Sequence, residues 1–327
     1  MDSTTSSPIS IDAEQVQKES AELTILGAGA WGTALAQLVE KNDHTVCLWS
    51  RRAAITLAEA VAGSHVILSA VSMKGVPAVA TQLKAAGIPR ETILVTATKG
   101  LDPETTRTPS QIFQDTFPDN PVVVLSGPNL SKEIEQGLPS ATVAASTHPE
   151  AAEAVQYLFA SEIFRVYSSP DPLGAELGGT LKNIIAIAVG VCEGLELGSN
   201  ARSALMTRAL PEMIRIGTHL GGQAETFVGL SGLGDMLATC TSVLSRNYRV
   251  GYGLAQGKSL EQILEEIGST AEGVNTTNVL IQIANREQIP APISRQVYRL
   301  LNGKITAQEA VEALMERDLK AEACLLT

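Results

Sequence analysis

The stretch from Leu23 to Glu40 leaves this chain few folds to choose from. A short apolar run, Leu23 to Leu26, leads directly into Gly27-Ala28-Gly29-Ala30-Trp31-Gly32, and Thr33 to Glu40 then has a helical pattern. Each glycine has its own reason to be there. Gly27 makes a tight turn, Gly29 lets backbone approach a pyrophosphate, and Gly32 lets the helix pack closely on the strand. The helix N-terminus adds free N–H donors and a positive dipole end. A G-x-G-x-x-G pattern alone is common, but strand, turn and helix in this order identify a dinucleotide-binding turn.

The rest of the first half agrees. Apolar runs recur at Thr45–Trp49, Val66–Ala70, Ile93–Ala97, Val122–Ser126 and Thr142–Ala145, separated by helical patterns. Runs this short and this apolar suit strands buried on both faces of a parallel sheet. The N-terminal fold is therefore expected to be a doubly wound, mainly parallel α/β sheet of the Rossmann type. After Ser168-Ser169-Pro170-Asp171-Pro172 the pattern turns helical through to Leu319, with Leu173–Leu195 apolar nearly all round, as a core helix should be. This places a disordered, Ser/Thr-rich tail at 1–21, a dinucleotide domain at 22–170 and an all-α domain at 171–327.

Charge and cysteine content narrow the function. With 24 Lys and Arg against 35 Asp and Glu, the net charge of -11 argues against nucleic-acid or anionic-membrane partners. An anionic ligand would need a locally basic pocket. No apolar run approaches the roughly 20 residues of a bilayer span, and the N-terminus lacks a secretory pattern. Cys47, Cys192, Cys240 and Cys324 are scattered, with no zinc-like or disulfide-like spacing, so a reducing cytoplasmic setting and no bound metal are expected.

The second run ends at Ser50-Arg51-Arg52, where dinucleotide folds meet the adenosine ribose. Two arginines there suit a 2'-phosphate, so NADP(H) is favoured, with NAD(H) admissible. Lys99 and the turn Ser126-Gly127-Pro128-Asn129-Leu130-Ser131 fall at the carboxyl edge of the sheet, where ligands of such folds bind. Lys182 lies inside the long apolar helix. Burial lowers a lysine's pKa toward neutrality, which makes it a candidate general base. Gly232-Leu233-Gly234-Asp235 and Ser245-Arg246-Asn247 add an acid and a phosphate-type donor cluster. Gly251–Ser259 misses the P-loop pattern because Tyr252 replaces its first glycine, and neither a nucleophile elbow nor a His-Glu-x-x-His pair is present.

Taken in order, Gly27–Ala36, Ala97-Thr98-Lys99-Gly100-Leu101, Ser126-Gly127-Pro128, Leu177–Asn183, Gly232–Asp235 and Ser245–Asn247 resemble the NAD(P)-dependent glycerol-3-phosphate dehydrogenases, in their bacterial and especially cyanobacterial form. The resemblance covers about Leu23 to Asp318. It implies reversible reduction of dihydroxyacetone phosphate to sn-glycerol 3-phosphate for phospholipid synthesis, and it allows a homodimer. It implies that Lys182 exchanges the proton at the C2 oxygen and that Lys99 touches substrate and cofactor. It places Gly127, Asn129, Asp235, Ser245, Arg246 and Asn247 at the substrate, with Arg246 and Asn247 as the phosphate clamp. Ala30, Trp31, Arg51, Arg52, Ser131, Arg246 and Glu272 fall at the cofactor. Two departures stand out: Asn129 replaces a usual serine or threonine, and the connection from Arg52 to Val66 lacks the family's longer loop. A β-hydroxyacid or 6-phosphogluconate-type dehydrogenase is the nearest alternative. A non-catalytic NADP(H) sensor is a remoter one, since it would not need Lys99, Lys182, Asp235 and Arg246 together.

Overall fold

The computed structural model describes residues 23–319, so the tail expected at 1–21 and Cys324 lie outside the described residues. The first half runs β1 (Leu23–Leu26), α1 (Ala30–Glu40), β2 (Val46–Trp49), α2 (Leu57–Val61), β3 (Val66–Ser69), α3 (Val76–Ala86), β4 (Ile93–Thr96) and α4 (Pro109–Thr116). It continues with β5 (Val122–Ser126), α5 (Ser131–Glu135), β6 (Ser140–Ala145), α6 (Pro149–Phe159) and β7 (Phe164–Ser169). The strands form one sheet in the order β2-β1-β3-β4-β5-β6-β7. It is parallel from β2 through β5; β6 then runs antiparallel to β5, and β7 parallel to β6. The chain leaves β1 for β2 on one side and returns to β3 on the other, which puts the Gly27–Gly32 turn at the switch point.

Helices cover both faces, and the strands divide their side chains between two cores. Leu23, Ile25 and Leu68 pack with Leu35, Val39 and Phe159, while Leu26, Ile67 and Leu94 pack with Leu83 and Phe113. Burial on both sides is why these strands read as unbroken apolar runs. β7 had no such signature, because at the edge only Phe164 and Val166 are buried while Arg165 and Tyr167 face out. α1 begins at Ala30 rather than Thr33, because Gly29 takes the extended conformation of an N-cap.

The second half is helical: α7 (Pro172–Gly194), α8 (Gly198–His219), α9 (Ala224–Phe227), a π-type turn at Leu230–Gly234, and α10 (Asp235–Cys240). α11 (Arg246–Ala255), α12 (Leu260–Ile267), α13 (Glu272–Arg286), α14 (Pro292–Leu301) and α15 (Ala307–Met315) complete it. Asp171 starts α7 by accepting from the Gly174 N–H at 2.9 Å. Against the expectation that no apolar run approaches a bilayer span, α7 is long and apolar enough to cross a membrane by length and composition, and 94% of its most apolar window is buried inside the protein. α11 crosses it almost backbone to backbone, since a Cβ on Gly190 would sit 2.9 Å from the Tyr252 nitrogen. The P-loop-like stretch is part of this packing: Ser259 caps α12 by accepting from the Gln262 N–H at 3.2 Å.

Candidate active site

β4 ends at Thr96, and three residues later Lys99 reaches out from the carboxyl edge of the sheet. Its Nζ lies 2.6 Å from Asp235 Oδ2 and 3.4 Å from the Gly127 carbonyl oxygen. Asp235 is the first residue of α10, and its other oxygen accepts from Lys182 Nζ of α7. The Lys182 ammonium also donates to Thr239 Oγ1 at 2.6 Å. A buried carboxylate thus stands between two ammonium groups brought from β4 and α7. Burial pushes Lys182 down to about 7; the attraction of Asp235 opposes this and the Lys99 ammonium adds to it.

Glycines let these elements close on one another. A Cβ on Gly178 would sit 2.7 Å from the Ser231 carbonyl oxygen. One on Gly179 would sit 2.6 Å from Ser126 Oγ and 3.2 Å from Lys99 Cε. Ser126 Oγ itself is buried and has no hydrogen-bond partner. Next to Lys182, Asn183 Oδ1 accepts from Asn247 Nδ2 at 2.9 Å, and Asn247 Oδ1 accepts from the Gly273 N–H at 3.0 Å. Packing and hydrogen bonding therefore fix the lysine-bearing turn of α7 from both sides.

The glycine turn lies at the same sheet edge. Gly27 has φ +120, and a Cβ there would be 2.9 Å from the Ala70 carbonyl carbon, so only glycine fits. A Cβ on Gly29 would meet nothing within 4 Å, which leaves that backbone open. α1 has neither a side-chain cap nor an acidic residue in its first turn, so its N–H groups are free for an anion. Arg51 and Arg52 follow β2 and are exposed. An open glycine backbone, an uncapped helix end and paired guanidiniums together fit a dinucleotide phosphate group.

A family model described as NAD-dependent glycerol-3-phosphate dehydrogenase C-terminus matches residues 171–312, and one described as the N-terminus of the same enzyme matches residues 22–57 and 52–152. The chain is 68% identical over 302 residues to a protein of Acaryochloris marina named glycerol-3-phosphate dehydrogenase, NAD(P)+, covering 92% of this chain and 97% of the relative. A Synechocystis protein of the same name is 66% identical over 301 residues, covering 92% and 95%. The chain belongs to the NAD(P)-dependent glycerol-3-phosphate dehydrogenase family. A crystal structure of glycerol-3-phosphate dehydrogenase from Coxiella burnetii is similar, with 35% identity, a TM-score of 0.87, and coverage of 91% of this chain and 99% of that one.

In this dehydrogenase the residues expected from the sequence fall into groups. Lys99, Gly127, Lys182 and Asp235 meet directly. Trp31 is half-buried, its indole N–H donating at 3.2 Å to the carbonyl of Ala97, two residues before Lys99. Arg246 is exposed, 3.5 Å from Ser269 Oγ, and its charge acts on Glu272. Burial pushes the Glu272 carboxyl up, opposed by a backbone hydrogen bond from Met73 and by Arg246. Ser245 caps α11 by accepting from the Tyr248 N–H at 3.2 Å, and Asn247 is committed to Asn183 and Gly273. Ala30 and Ser131 are the first residues of α1 and α5.

Asn129 is tied up as well. Its Oδ1 accepts from Thr142 Oγ1 at 2.9 Å and its Nδ2 donates to the Ala141 carbonyl at 3.3 Å, so the amide braces β6. Thr239 and Thr180 were not singled out in the sequence. The signal for Thr239 was available, since Asp235 and Thr239 are four apart on one helix and share a face. Thr180 gave no such signal, because its partner, the Gly100 N–H at 3.0 Å, belongs to a distant loop.

Proposed function

We propose that this chain catalyses the reversible, NAD(P)H-dependent reduction of dihydroxyacetone phosphate to sn-glycerol 3-phosphate, the step that supplies glycerol phosphate for phospholipid synthesis. The observation that carries the reading is the convergence of Lys99 and Lys182 on Asp235 at the sheet edge that also bears the glycine turn.

Bound NAD(P)H supplies the hydride. In the direction of reduction, Lys182 gives its proton to the oxygen developing at C2, and in reverse it accepts that proton. Its lowered pKa suits both directions near neutral pH. Asp235 and Thr239 hold the ammonium in place, and Lys99 adds positive charge where an oxyanion forms. Arg246 and Asn247 form the phosphate clamp, whose binding orients the carbonyl, and Gly127, Asn129, Asp235 and Ser245 are the further substrate contacts in this reading. Gly27, Gly29, Ala30, Trp31, Gly32, Ser131 and Glu272 receive the cofactor, and Arg51 and Arg52 favour NADP(H) over NAD(H).

The domain division in this reading is 22–170 and 171–327, and the chain works in the cytoplasm, in keeping with free thiols at Cys47, Cys192 and Cys240. The same reading includes a homodimer. A monomer mass on sedimentation would reject the dimer. The functional reading is tested by loss of reduced-nicotinamide absorbance with dihydroxyacetone phosphate and each cofactor in turn. No turnover with either cofactor rejects it, and equal efficiency with both removes the preference.

A further inference from the structure

Lys99 stands on the connection between β4, ending at Thr96, and α4, beginning at Pro109. The start of this connection is held at several points. Thr98 Oγ1 donates to the Val71 carbonyl at 2.8 Å, the Gly100 N–H to Thr180 Oγ1 at 3.0 Å, and Asn275 Nδ2 to the Leu101 carbonyl at 2.9 Å. Its middle folds on itself, with Asp102 Oδ2 accepting from the Thr105 N–H at 2.9 Å and hydroxyl at 2.7 Å. Its far end is the N-terminus of α4. There Thr108 caps its own helix, and a carboxylate from the other domain joins it: Glu176 Oε1 accepts from the Ser110 N–H at 3.0 Å, and Oε2 accepts from the Ser110 hydroxyl.

Glu176 and Thr180 are four apart on α7, so one face of that helix grips both ends of the connection. Lys182 follows on the same helix. Glu176 is 1% exposed, and burying a carboxylate is costly unless its oxygens are met by donors. Burial pushes its carboxyl up to about 7, opposed by hydrogen bonds from Ser110 and Thr108, and in either protonation state an oxygen still accepts from the Ser110 amide. The protein uses the same device elsewhere. Glu212 of α8 accepts from the Ile293 and Ser294 N–H groups of α14 at 2.8 and 2.9 Å, entirely within the helical domain. The Glu176 contact, unlike that of Glu212, joins the helix carrying Lys182 to the connection carrying Lys99, and it does so at the end of that connection opposite the Thr180 contact.

We propose that Glu176 is a positioning residue: it fixes the far end of the Lys99 connection to the Lys182 helix and so sets how the two lysines meet at Asp235. The proposal rests on the functional reading above for its kinetic consequences. Wild type, Glu176→Ala and Glu176→Gln are compared with dihydroxyacetone phosphate and NADPH. Glu176→Ala loses about 10- to 100-fold in kcat, as a small misplacement of reacting groups does, while the KM for NADPH stays within about threefold. Glu176→Gln keeps an acceptor for the Ser110 N–H and recovers to within about fivefold of wild type. A kcat for Glu176→Ala within about twofold of wild type, or no recovery with glutamine, overturns the proposal.

Should Glu176→Ala fail to fold, Ser110→Ala removes the hydroxyl from the other side of the contact. A fall in its kcat supports the proposal and an unchanged kcat overturns it. Hydrogen exchange separates this inference from the functional reading if wild type itself proves inactive. Faster exchange at Gly100 and Ser110 in Glu176→Ala than in wild type, with Ile293 and Ser294 unchanged, supports the tie; equal exchange at Gly100 and Ser110 overturns it.

Discussion

Around the Gly27–Gly32 turn the protein offers a ligand bare backbone and open space, whereas around Lys182 it offers buried charge. Gly29 has nothing within 4 Å of where a side chain would start, and Arg51 and Arg52 stand in solvent. Lys182 and Asp235 are buried, and their contact joins residues 53 apart in sequence, while Lys99 and Asp235 are 136 apart. The first half is assembled locally and tolerates change, because exposed charges are solvated with or without a ligand. The second exists only when separate elements pack, and each buried charge depends on the others. Binding of the cofactor and chemistry on the substrate should therefore be separable by mutation.

The sharpest way to break this contrast is Lys182→Ala. It should lower kcat for reduction about 1000-fold, within the range of lost acid–base catalysis, while leaving NADPH binding by fluorescence titration within about threefold. Turnover near the wild-type rate would remove Lys182 from the chemistry. Asp235→Asn keeps the shape and removes the carboxylate, leaving the buried Lys182 ammonium and the part-buried Lys99 ammonium without a counter-ion. A loss of about 100-fold in kcat with a lowered Tm is expected; a loss in kcat with Tm unchanged would mean that the charge is not holding the packing.

On the cofactor side, Arg51→Asp with Arg52→Asn should raise the KM for NADPH about 10- to 30-fold and change that for NADH by less than about threefold. Tm should not move, and equal effects on the two cofactors would separate the arginines from any 2'-phosphate. The mildest perturbation is pH. Because burial brings Lys182 down to about 7, the lysine is protonated below that value and neutral above it. Reduction needs the proton, so its kcat/KM should be level at lower pH and fall about tenfold per unit above about 7. Oxidation needs the neutral amine and should rise through the same range. Parallel profiles in the two directions would mean that another group carries the proton.

The two halves also differ in how far the sequence exposes them. The doubly wound sheet was legible because strands buried on both faces are apolar throughout, and the same logic missed β7, where an edge position leaves Arg165 and Tyr167 outside. Lys182 was legible because a cation inside an apolar helix is anomalous wherever the helix packs. That Asn129 is bound to Thr142 and Ala141 was not legible, since strand pairing between β5 and β6 decides it. Thr180 and Glu176 were hidden for a similar reason, each answering a donor on a loop that only the fold brings near.

By itself the sequence determined the dinucleotide turn, the alternation that makes a parallel sheet, and the switch to helices after Pro172. These depend on steric and hydrophobic rules that act over a few residues, where glycine, periodicity and capping leave a direct imprint. Only the tertiary structure decided that Lys99 and Lys182 share Asp235, that Gly179 must lack a side chain for them to do so, and that Glu176 binds the two domains at α4. A charge pair across 136 residues leaves no local trace, because its energy depends on burial and distance, which the folded chain alone supplies.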